Sequence, residues 1–286
     1  MPDGDPPSEG GHPPDCEDPP AGEDPPAGEQ LEGVRFRYTK LGRIRFTSHR
    51  DVARMWERAL RRSRLPVAWS EGFSPRPLLS FGLALPTGCE SLAEYVDVRL
   101  APGTAAAQAR SLATLLGPLL PVGIDVPVSG PNPRGSDSLQ QEVTSCSWEL
   151  EVLGVTVGEL AERIERLLAA PSVPIRRERK GRLVEDDLRP SVLVLTSEQG
   201  RGVPTGLWGP PGDAEDAPIR VHAELATRPR GVRPPELLQG LGADLRLARA
   251  CRTNQWIERD GARQEPLAVG GDAPGTVVPH ATGRAS

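Results

Sequence analysis

The sequence predicts an α+β protein of two tandem β-α-β-β-α-β units, each with an antiparallel sheet. Three observations carry this expectation. Residues 33–130 contain short alternating runs suited to strands, interrupted by two stretches of helical periodicity. Residues 142–260 repeat that order of elements, although not the residues themselves. Between them, residues 131–141 have the Gly, Pro, Ser and Asn content of a linker.

In the first unit, residues 34–46 alternate weakly through Val34, Phe36, Tyr38, Ile44 and Phe46, with a break for a turn or bulge at Leu41-Gly42-Arg43. Ser48 is a candidate N-cap, with Asp51 three positions on. The helix it starts, 50–64, places Val52, Met55, Ala59 and Leu60 on one face with Trp56 beside them. Strands follow at 67–69, 78–85 and 94–100, then a helix at 103–120 and a strand at 122–128.

The second unit begins with a strand at 143–153, in which Cys146, Trp148 and Leu150 alternate with Ser145, Ser147 and Glu149. A helix at 157–170 turns Leu160, Ile164, Leu167 and Leu168 to its core face. Strands at 173–179 and 191–196 are joined by a charged stretch through Gly181. A strand at 219–226 containing His222 and Glu224, a helix at 234–241 and a strand at 245–257 complete the set. Each unit reads as a ferredoxin-like sandwich, with two helices on one face of the sheet.

The flanks differ from this middle. Residues 1–32 hold ten carboxylates, no Lys or Arg and one large aliphatic side chain, Leu31. Such a segment buries too little apolar surface to offset chain entropy, so a disordered acidic tail is expected there, and another at 261–286. The net charge of −5 therefore hides a basic interior: positions 33–110 carry fourteen Arg or Lys against six Asp or Glu. Cys16, Cys89, Cys146 and Cys251 lie far apart, without metal-ligand spacing or a disulfide framework. No apolar run reaches membrane-spanning length, and the expectation is a cytoplasmic protein without a cofactor and without a membrane partner.

The candidate site lies where the basic residues concentrate. Arg45, Arg50, Arg54, Arg58 and Arg62 precede the loop Ser70-Glu71-Gly72-Phe73-Ser74-Pro75-Arg76-Pro77. In that loop Gly72 permits a sharp entry, the prolines stiffen the backbone, Phe73 is expected to anchor on the core, and Arg76 is expected to point outward. Alternation puts Phe36 and Tyr38 on the core face of the first strand and Arg35 and Arg37 on the other, as exposed binding residues. Arginine forks suit phosphate, which makes RNA the first candidate partner. His49 with Asp51 or Glu71 is a general acid–base pair if the chain is an enzyme, and otherwise His49 simply starts its helix.

Phe46-Thr47-Ser48-His49-Arg50-Asp51, Glu57-Arg58-Ala59-Leu60-Arg61-Arg62, the 70–77 loop, Leu85-Pro86-Thr87-Gly88, Glu90-Ser91 and Glu94-Tyr95-Val96-Asp97 occur in fixed order. Together they resemble the uncharacterised radical SAM-linked (radical SAM-associated) family; Val232-Arg233-Pro234 and Arg252-Thr253 add a weaker match. Ser74 and Arg76 stand where many members carry Asn and His. The resemblance implies a domain found alone or fused behind a cobalamin-binding radical SAM protein, and hence a radical SAM protein as partner. The chain has no Cys-x3-Cys-x2-Cys and is not itself such an enzyme. The resulting expectation is a non-catalytic RNA-binding accessory module in tRNA or rRNA modification or processing. A protein–protein adaptor without RNA contact and an RNA-processing hydrolase using His49 are the alternatives.

Overall fold

A computed structural model of the protein describes residues 33–102, 111–132, 138–179, 181–198, 218–259 and 261–267. In chain order the elements are β1 (Gly33–Lys40), α1 (His49–Ser63), β2 (Leu79–Phe81), β3 (Glu90–Arg99), α2 (Leu112–Leu116), β4 (Val128–Asn132), α3 (Leu139–Glu142) and β5 (Val143–Leu153). They continue as α4 (Val157–Ala169), β6 (Pro174–Arg179), β7 (Arg182–Asp187), β8 (Val192–Glu198), β9 (Ile219–Ala226), α5 (Pro234–Leu241), β10 (Arg246–Arg259) and β11 (Ala262–Gln264). No helix among the described residues is long and apolar enough to cross a membrane.

The fold is α+β, with one nine-stranded sheet in the order β4-β1-β3-β10-β5-β9-β8. β2 pairs with β3 and β11 with β10, off that path, while β6 and β7 form a separate ribbon. The strand order β4-β1-β3-β2 in the first half recurs as β10-β5-β9-β8 in the second. What the sequence did not disclose is their fusion. β3 and β10 pair in parallel through Glu90↔Cys251 and Ser91↔Arg252, whereas every other pairing in this sheet is antiparallel. The buried apolar residues form two cores. Trp56 fills the first, its ring centroid 5.6 Å from Phe36 and 5.2 Å from Tyr38. The second gathers Trp148, Leu150 and Val152 under α4 and α5.

Several expectations are corrected. The last strand of the first half is β4 at Val128–Asn132, not 122–128. Gly123, at φ +95°, accepts from the amide of Leu41 at 2.8 Å in an irregular segment, and a Cβ there would collide with the Leu41 carbonyl. β4 looks like linker because it contains Pro131, which an edge strand tolerates. After Lys40 the chain makes a 3-10 turn, Gly42–Phe46, instead of continuing as strand. The charged stretch through Gly181 contains β7, which pairs with β6 outside the main sheet. Of the helix expected at 103–120, residues 103–110 lie outside the described residues, as do 133–137 of the linker and both tails at 1–32 and 268–286. Residues 261–267, expected as tail, are ordered against the sheet: β11 pairs with β10.

That last segment overturns the expected exposure of the first strand's arginines. Arg37 donates to Glu265 at 2.7 Å, and Asn254 donates to the same carboxylate at 2.6 Å. Arg35 donates to both Asp97 oxygens at 2.7 and 3.0 Å and to Glu142 at 3.4 Å. Both arginines are buried. Burial opposes the charge of Arg35, but the two carboxylates outweigh it and raise its pKa.

The seam between the halves is held by Arg252, which is 2% exposed. It donates to Glu94 through Nε at 3.0 Å and through Nη2 at 2.6 and 2.8 Å, and to the Leu83 carbonyl at 2.9 Å. Replacing Glu94 by Leu leaves that guanidinium buried and unpaired, and should cost about 3–5 kcal/mol of unfolding free energy. The double variant Glu94→Leu/Arg252→Met should recover most of the loss. Urea unfolding of both variants checks this, and strictly additive losses would contradict it.

Candidate functional site

The arginine face is built on α1. Ser48 caps the helix: its hydroxyl accepts from the Asp51 amide at 3.2 Å and donates to the Asp51 carboxylate at 2.7 Å. The bond from Ser48 is the main reason the Asp51 carboxyl lies below the usual range, with Arg54 adding to it. Val52, Trp56, Ala59 and Leu60 are buried, as their spacing requires. Arg50, Arg54, Arg58, Arg61 and Arg62 consequently stay exposed. Arg54 meets Asp51 at 3.3 Å, an exposed pair of little energy. Arg50, Arg58, Arg62 and Arg76 have no ion pair among the described residues.

After α1 the chain forms a hairpin that leads into β2. Trp69 pairs with Pro77, the Ser70 amide donates to the Arg76 carbonyl at 2.8 Å, and the Arg76 amide donates to Ser70 Oγ at 3.0 Å. Residues 71–75 form its tip, with Gly72 at φ +115°. Arg61 ties this hairpin to the helix: it donates to the Pro75 carbonyl at 2.8 Å, and its guanidinium lies 5.1 Å from the Trp69 ring centre. Phe73 does not anchor the loop, because it stands at the tip with its ring fully exposed at 111%. Pro77 is the residue of this hairpin that is buried.

The remaining expected residues divide. Glu71 and Ser74 are exposed beside Phe73. Arg45 is half-buried, 3.3 Å from the buried Glu90 and 4.6 Å from the ring centre of the exposed Phe46. His49 packs its ring edgewise on Phe81, with centroids 5.0 Å apart, and hydrogen-bonds to neither Asp51 nor Glu71. The proposed acid–base pairs are therefore not assembled. The surface combines arginines that have no ion pair among the described residues with the exposed rings of Phe46, Trp69 and Phe73.

Sequence reasoning missed a second feature, a cleft of about 160 Å³ at the seam, lined by Leu83, Pro86, Cys146, Trp148, Val232, Arg233 and Arg252 among others. The Arg252 guanidinium lies 5.6 Å from the Trp148 ring centre. Alternation did mark Cys146 and Trp148 as facing one side, but nothing local places Arg252 against them. Burial pushes the Cys89 thiol up to about 11, and pushes Cys146 and Cys251 upward too, so these free thiols are poor nucleophiles.

Residues 34–224 match the family described as "Uncharacterized protein conserved in bacteria (DUF2344)", and the chain belongs to that family. No curated protein matches it. The solved "Crystal Structure of a Cbf5-Nop10-Gar1 Complex" is similar at a TM-score of 0.41 and 10% identity over 79% of this chain, too distant to bear on function. The chain spans about half, 49%, of the length of that structure's chain.

Arg61→Ala should free the hairpin from α1. The expected cost is about 1 kcal/mol, with faster amide exchange at Ser70 and Arg76. Exchange measured by NMR checks this, and unchanged protection at both amides would show that Arg61 does not hold the loop.

Proposed function

We propose that this member of the family is a non-catalytic RNA-binding accessory module that acts with a radical SAM enzyme in tRNA or rRNA modification or processing. The observation that carries the RNA part is the row Arg50, Arg58 and Arg62 on α1 with Arg76 beside it, exposed and without an ion pair among the described residues. Guanidinium groups in that state keep their forks available for phosphate. Arg35 and Arg37 are excluded from this role, since Asp97, Glu142 and Glu265 already occupy them. The radical SAM partner rests on the sequence resemblance, carried by the motifs around α1 and the hairpin. A non-catalytic role is in keeping with His49, which packs on Phe81 without a hydrogen bond to Asp51 or Glu71.

Phosphate contacts release counterions, so binding must fall with salt. For Arg58→Ala/Arg62→Ala, the slope of log affinity against log salt on single-stranded RNA should shrink by roughly 0.7 for each arginine removed. Fluorescence anisotropy across a salt series measures it. Unchanged affinity and slope would reject the RNA reading. If RNA binding is unchanged while co-purification with the radical SAM protein is lost, the face is a protein adaptor. If His49→Ala abolishes turnover of an RNA substrate and spares binding, the module is a hydrolase.

A further inference from the structure

We infer that the hairpin tip at residues 71–75 is a stacking platform for unpaired bases, and that the RNA it takes is single-stranded or looped rather than continuous duplex. This rests on the reading of α1 as an RNA-binding face. A lone exposed aromatic ring is ordinary on a protein surface. Phe73 is distinguished by how its backbone is held. Trp69 and Pro77 pair at the base of the hairpin, Ser70 and Arg76 close it with two hydrogen bonds, and Arg61 ties the Pro75 carbonyl to α1. The ring is thus presented on a clasped loop, so less conformational freedom is lost when it is covered.

The surroundings decide what covers it. Arg61 and Arg76 flank the tip, and Arg58 and Arg62 continue the positive charge along α1. Trp69, stacked under Arg61, is 41% exposed and offers a second ring. An aromatic ring among exposed guanidinium groups matches a polyanion that carries flat apolar faces. In duplex RNA those faces are stacked inward and the narrow major groove excludes side chains. Only an unpaired base turns its face outward, and stacking on a protein ring is tolerant of which base it is.

The test uses the full chain and fluorescein-labelled oligo(A), alone and annealed to oligo(U), read by anisotropy at fixed salt. The unmodified protein should prefer the single strand. Phe73→Ala should weaken single-strand binding about tenfold, the loss expected for one stacked base, and change duplex binding less than twofold. Phe73→Trp should restore it, and Phe73→Leu should behave as the alanine variant. Equal losses on both RNAs, no loss, or full binding by Phe73→Leu would overturn the inference. If Arg58→Ala/Arg62→Ala weakens binding and Phe73→Ala does not, the stacking role fails and the RNA-binding face stands. If neither RNA binds the unmodified protein, both fail. If Phe73→Ala spares RNA and removes association with the radical SAM protein, the tip is a protein contact and the inference is wrong.

Discussion

The structure depends on how one edge of β3 is shared. Along its other edge β3 pairs with β1 from Gly33↔Arg99 to Lys40↔Ser91. On the shared edge, β2 takes Val96 to Val98 and β10 takes Glu90 and Ser91. Between these two pairings the Glu94 carboxylate reaches Arg252 from within the sheet. A buried guanidinium tolerates no partial solution, because any unmatched charge there is heavily penalised. Arg252 meets the demand with groups from two other segments, β3 and the chain leaving β2. The two halves are consequently one body.

β10 takes the first part of that edge and β2, three residues long, the last part. The hairpin before β2 therefore lies at the end of β3 away from β10, where Arg61 ties it to α1. The arginines then fall into two populations. Those on the sheet, Arg35, Arg37 and Arg252, are buried and matched with carboxylates, and they hold the fold together. Those on α1 and the hairpin face water and, among the described residues, are matched little or not at all. The same residue type, abundant throughout, does two jobs that only burial separates.

Local rules recovered much of the fold. The alternation of Cys146, Trp148 and Leu150 located β5, and the 3.6-residue spacing of Val52, Ala59 and Leu60 located α1, because each pattern is decided by one buried face. The order of elements in each half was also legible. β4 was not, since Gly130 and Pro131 read as linker until its position at the sheet edge is known. Arg35 and Arg37 were assigned to the correct face, but their burial depends on Glu142 and Glu265, which lie far along the chain. The arginines of α1 were found where expected. The orientation of Phe73 was not, because a hairpin clasp decides it and hydrophobicity does not.

The bond between Arg37 and Glu265 spans 228 positions. On a translating ribosome β1 and its neighbours emerge long before that carboxylate exists. At ordinary elongation rates the interval is roughly ten to fifty seconds. Throughout it the nascent first half presents cationic side chains on both the helix and the unfinished sheet surface, close to ribosomal RNA. Completion of β11 and Glu265 covers one of those surfaces and leaves the other exposed.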